Sequence, residues 1–109
     1  MNEADYEVAF QIIAFAGNAK SSAMMAIREA RNGNFEEAQQ LLEAADADVN
    51  KAHGSQTKLL TQEARGNGVP INIILIHAQD HLTAAMLTRD LAAEIIELHK
   101  LIKPAANAL

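Results

Sequence analysis

The stretch Ile71-Asn72-Ile73-Ile74-Leu75-Ile76-His77-Ala78-Gln79-Asp80-His81 decides the fold. Its first half points apolar side chains in nearly every direction within ~1.5 helical turns, more than one pair of flanking helices can cover. Written as heptads, the segment runs on as one seam through Ile74, His77, His81, Ala84, Thr88, Leu91, Ile95, Leu98 and Ile102, which predicts a helix from about residue 71 to residue 103. Two histidines interrupt that apolar seam. Asp80 falls on the adjoining row with Ile73, Ile76 and Leu87, so a carboxylate is expected among apolar side chains. It costs free energy there unless it is paired, hydrogen-bonded or bound to a metal.

Upstream, Gly66-Asn67-Gly68-Val69-Pro70 is a break. The glycines suit a tight turn, and Pro70, lacking an amide hydrogen, suits the first turn of the helix that follows. A second helix, about 35 to 65, carries Ala38, Leu42, Ala45, Val49, Ala52, Gln56 and Leu59 on one face and charged or amide side chains on the other. Before it, Gly33 marks a helix C-terminus, and Asn34 with Glu37 reads as a capping box. A first helix, about 4 to 32, shows Phe10, Ile13, Gly17, Met24 and Ile27 at three- and four-residue spacing, with Ala9, Ala16, Ala19, Ala23, Ala26 and Ala30 beside them. Met24, Met25 and Met86 read as core filler. Gly17 and Gly54, inside helices at a cost of about 1 kcal/mol each, are either points of close backbone approach or tolerated substitutions. Pro104 to Leu109 is expected to be a frayed tail.

Three helices of about 45 Å with short connections predict an all-α, up-down-up bundle forming a single domain over residues 1–109. Composition agrees: apolar residues make up 50% of the chain but aromatics only 4%, and alanine packs helices closely rather than filling a sandwich core. A net charge of -5 without a Lys/Arg cluster argues against nucleic acid. The absence of cysteine excludes disulfides, thiolate zinc sites and a cysteine nucleophile. With no basic-then-apolar leader and no run of membrane-spanning length, a cytoplasmic location is expected.

The third helix still needs a further contact. A second copy of itself is the simplest source, giving a homo-oligomer with third helices clustered on the symmetry axis. Asp80 would then repeat around that axis, where protonation or a shared hard cation such as Mg²⁺ relieves the repulsion.

A histidine on an apolar helix face is more often a hydrogen-bonded core residue than a functional one. Two of them one turn apart, with Gln79 and Asp80 between, shift the reading toward function. Their spacing matches the histidine pair of a zinc protease, but Ala78 stands where that motif needs a glutamate base. Two other readings stay open: an interaction module whose polar seam fixes oligomer register, and a metal-binding bundle using His77, Asp80 and His81. His53 and His99 read as helix-edge and surface residues.

The segment Ile76-His77-Ala78-Gln79-Asp80-His81-Leu82, with Ala85-Met86-Leu87-Thr88-Arg89-Asp90-Leu91 and Ile95-Ile96-Glu97-Leu98-His99-Lys100, resembles the IIA proteins of the lactose/cellobiose/chitobiose class of sugar phosphotransferase systems. The resemblance extends through Ala14-Phe15-Ala16-Gly17-Asn18-Ala19-Lys20-Ser21, Gly33-Asn34-Phe35 and Ala52-His53-Gly54-Ser55-Gln56-Thr57. It implies a homotrimer of three-helix subunits. It also implies that His77 accepts phosphate from the histidine phosphocarrier HPr and passes it to a cysteine of a IIB partner. Asp80 would hold a divalent metal ion, shared by three subunits, at the trimer axis. Ala78 leans toward the cellobiose or chitobiose branch rather than lactose. Thr83 departs from the methionine common in the family, but six residues from His77 is a rotation of ~240°, away from the transfer site.

Mid-helix amides are already bonded, so phosphate oxygens at His77 would need side-chain donors. Gln79, His81, Gln56 and Thr88 are the candidates, from the same or different subunits, and no arginine is expected nearby.

Overall fold

A computed structural model describes the backbone of residues 2–107 and the side chains of residues 2–102. It contains three helices: α1 Glu3–Arg31, α2 Phe35–Ala64 and α3 Ile73–Asn107. The bundle measures 62 × 20 × 19 Å, so the helices run along one long axis and the short connections turn the chain back twice. α1 packs along both α2 and α3, which meet each other far less.

Both helix ends that precede a connection close in the same way. Gly33 (φ 84°) and Gly66 (φ 83°) adopt the left-handed conformation. The amides of Asn34 and Asn67 reach back to the carbonyls of Glu29 and Gln62, at 2.8 and 2.9 Å. These are Schellman closures, in which only glycine escapes the steric cost of positive φ.

The N-termini differ from expectation. Asn34 makes no side-chain cap; its amide donates instead to Glu29 at 2.8 Å, so the capping box with Glu37 is not formed. A capping box does form at the start of α1, between Asn2 and Asp5. α3 begins two residues later than predicted because Asn72, not Pro70, sets its start: the Asn72 side-chain oxygen accepts the amides of Ile74 and Leu75, each at 3.0 Å. Pro70 lies in the connection. At the far end the helix continues through Pro104 to Asn107 rather than fraying after Lys103, while Ala108 and Leu109 lie outside the described residues.

The core inverts the expected stripe of α1. Ala9, Ile12, Ala16, Ala19, Ala23, Ala26 and Ala30 are buried, while Phe10 is 55% exposed and Met24 and Met25, read as core filler, are exposed. A helix flanked on two sides buries mainly small side chains at the narrow contact, here six alanines with Ile12, and most larger ones are pushed to its margins. α2 buries the face expected of it, with Ala38, Ala45, Val49, Ala52 and Leu59. α3 buries Ala78, Leu82, Ala85, Ala92 and Ile96, and half-buried Met86 packs on the same core. A Cβ added at Gly17 or Gly54 would meet nothing within 4 Å, so neither marks a close approach within the subunit. Arg89 ties α2 to α3 through Asp46 at 3.0 Å and also binds Asp90 at 2.8 Å. Burial opposes its charge, but the two carboxylates more than offset this and hold the guanidinium above its usual range.

Candidate functional site

The burial of Ala78, Leu82 and Ala85 sets the rotation of α3 and therefore what its other faces present. His77, Asp80 and Ala84 come out on the exposed side, and His81 sits at its edge, half-buried. The apolar side chains of that side are bare as well: Ile73 is 77% exposed, Leu87 59% and Leu101 74%, with Ile76, Leu91, Leu98 and Ile102 beside them. The row that was expected to surround Asp80 exists, but among the described residues nothing in the subunit covers it.

The rings of His77 and His81 meet edge to face, their centroids 4.3 Å apart at an interplanar angle of 75°. One helical turn places them side by side, since four residues rotate by only ~40°. Both line an open cleft with Asp80, Ala84 and, from α1, Lys20. On one side His77 and Asp80 continue into an apolar recess with Ile73, Ile74 and Ile76. On the other, His81 and Lys20 border a recess over α1 with Gly17, Met24, Met25 and Arg28.

The other predicted donors are placed elsewhere within the subunit. Gln56 Nε2 donates to Gln79 Oε1 at 2.6 Å, a pair that bridges α2 and α3. Gln79 borders a groove with Leu59, Leu60 and Val69, not the His77 cleft. The Thr88 hydroxyl donates to the Ala84 carbonyl at 2.7 Å and is committed to its own helix. His53 is exposed and His99 half-buried. Lys20 was missed as a site residue. Its only signal was membership of the Gly17-Asn18-Ala19-Lys20-Ser21 segment, because no spacing rule connects α1 to His77.

His77, Asp80 and His81 do not converge as a ligand set within one subunit. Among the described residues no three His, Asp or Glu side chains do. Among the described residues, no group within one subunit therefore supports the reading of a metal-binding bundle on these three side chains. Asp80 does supply a hard oxygen donor of the kind Mg²⁺ favours, but a single one per chain. Among the described residues no helix is long and apolar enough to cross a membrane.

A bundle with this helix order and a histidine pair lining a cleft with a lysine can be placed by comparison. Residues 7–100 match the family model described as PTS system, Lactose/Cellobiose specific IIA subunit, and the chain belongs to that family of phosphotransfer components. It is 47% identical over 108 residues to the lichenan-specific phosphotransferase enzyme IIA component of Bacillus subtilis, covering 99% of this chain and 98% of that one. The PTS cellobiose-specific enzyme IIA from Bacillus anthracis superposes with a TM-score of 0.91 at 41% identity, over 95% of each chain. A IIA(Chitobiose) protein solved in complex with HPr superposes with a TM-score of 0.81 at 35% identity, over 94% of this chain and 99% of that one.

Proposed function

We propose that this chain carries a phosphoryl group on His77, taking it from HPr and delivering it to a cysteine of a IIB component in the cytoplasm. The transported sugar would be a β-linked disaccharide of the cellobiose or chitobiose kind. The observation that carries the reading is the position of His77: exposed, in the second turn of α3, in an edge-to-face contact with His81 and in a cleft open to a partner. Family membership and the relative solved with HPr support the choice of donor.

In the receiving step a ring nitrogen of neutral His77 attacks phosphorus. The new N–P bond forms as the donor's N–P bond breaks, and the electron pair returns to the donor imidazole. In the giving step a IIB thiolate attacks, an S–P bond forms and the pair returns to His77. Catalysis is mostly positioning and charge stabilisation, which an exposed imidazole between two docking proteins allows.

Three copies would assemble through the bare row of α3. Covering Ile73, Ile76, Leu87, Leu91, Leu98 and Leu101 stabilises at roughly 25 cal/mol per Å² of apolar surface removed from water. Asp80 of each copy would then face the axis, where a divalent cation, Mg²⁺ by its preference for oxygen, would be shared by three carboxylates and offset their repulsion.

The test is incubation with phosphoenolpyruvate, enzyme I and HPr, followed by assay for acid-labile phosphate. Label on the wild type that disappears in His77→Ala is the expected result. No label on the wild type, or undiminished label on the variant, would sink the reading.

A further inference from the structure

We propose that Lys20 of α1 is a phosphoryl-binding cation, a further residue of the same site that holds the group on His77 through its charge. The inference rests on the phosphoryl-carrier reading above. A phosphoryl group brings roughly two negative charges and three acceptor oxygens. It would arrive in a chain of net charge -5 and in a cleft that already holds the Asp80 carboxylate. The backbone amides beside His77 are already engaged: those of Ile74 and Leu75 by the Asn72 side-chain oxygen, that of Ile76 by the Asn72 carbonyl, and those that follow within α3. Of the side chains on that cleft, Ala84 has no polar group, Asp80 repels, and His81 gives one ring N–H when neutral. Among the described residues, Lys20 is the one permanent cation that lines it.

Two features make Lys20 available. Among the described residues the ion pairs are made by Arg89 and Lys100, so the Lys20 ammonium is not engaged by a carboxylate, Asp80 included. It also rises from the buried alanine row, directly after Ala19, so its backbone is fixed while the side chain stays free to move. The cleft, about 260 Å³, exceeds the share of several waters at about 30 Å³ each, leaving room for a tetrahedral group between ring and ammonium. A lysine suits this task better than a bidentate arginine fork, since a compact, strongly hydrated charge on a flexible stem follows the group in and releases it.

The experiment fixes the ratio of phosphorylated to free HPr and measures the phosphorylated share of this protein and the lifetime of its phosphohistidine after HPr is removed. Lys20→Met, Lys20→Arg and Arg28→Met are compared with wild type. Lys20→Met should lower the equilibrium constant for phosphoryl gain by about threefold to tenfold, the size expected of one partly solvated ion pair. The loss should shrink in 0.5 M salt, and Lys20→Arg should recover most of the wild-type value. Arg28→Met, which lines only the outer recess, should leave it unchanged. A change below threefold in Lys20→Met, a Lys20→Arg variant as defective as Lys20→Met, or an equal loss in Arg28→Met overturns the proposal. Wild type that takes no label overturns the carrier reading instead, so the two failures are distinguishable.

Discussion

The ring of His81 meets the ring of His77 edge to face at 4.3 Å, one turn along the same helix. An edge-to-face contact narrows the orientations the His77 ring can take while leaving it on the open cleft. The contact belongs to α3 alone, so it needs no assembly to form. On the phosphoryl-carrier proposal, His81 would position His77 through this contact.

Replacement of His81 by alanine should therefore slow phosphoryl gain by roughly tenfold, equivalent to ~1.4 kcal/mol of barrier, with the label still on His77. His81→Phe, which keeps an edge, should recover part of that rate. Rapid-quench labelling from phosphorylated HPr measures both. An unchanged rate in His81→Ala would make the ring contact passive.

The 2.6 Å bond between Gln56 and Gln79 joins the two helices that touch least. Gln79→Ala leaves a half-buried amide without its partner and should cost about 1 kcal/mol in urea unfolding. Gln56→Ala should cost about the same, and the double variant little more, because the second change removes a bond already lost. Additive losses would show that the amides act separately.

At Asp80 the expectation is a gain in association and a loss of cation dependence. Asp80→Leu completes the apolar row with Ile76 and Leu87 and removes the like charge from the proposed axis. Sedimentation with and without EDTA should show wild type weakened by chelation and Asp80→Leu indifferent to it, with His77 still labelled. A wild-type oligomer untouched by chelation would remove the cation from the proposal.

A charge placed further along that row should have the opposite effect. Leu87→Lys, at a position 59% exposed in the subunit, should leave the helical circular dichroism near wild type while shifting sedimentation toward the monomer. Unaltered sedimentation at micromolar concentration would direct the search for the interface to another face.

Much of this molecule could be read before its coordinates. Gly33 and Gly66 announced helix ends because a left-handed closure is a local requirement that glycine meets alone. The α2 face was correct because a helix covered from one side shows its moment plainly. His77, Asp80 and His81 stood out as polar residues on an apolar helix. The errors arose where distant contacts choose between local options. Asn34 was a good cap by sequence, but Glu29 took its amide. Asn72 displaced Pro70 as the start of α3. Phe10 and Met24 outweigh alanine in any apolar pattern, and only the close approach of two helices to α1 shows that alanine fits and they do not.

Sequence alone thus determined three helices, their two breaks and a histidine pair one turn apart, because periodicity, turn glycines and side-chain spacing act over a few residues. Tertiary structure decided which side of α3 is bare, that Gln56 and Gln79 pair with one another, and that Lys20 lies beside His77. These depend on the rotation of one helix against another, which is set by buried contacts such as Ala16 and Ala19 with Ala78 and Leu82, far apart in the chain.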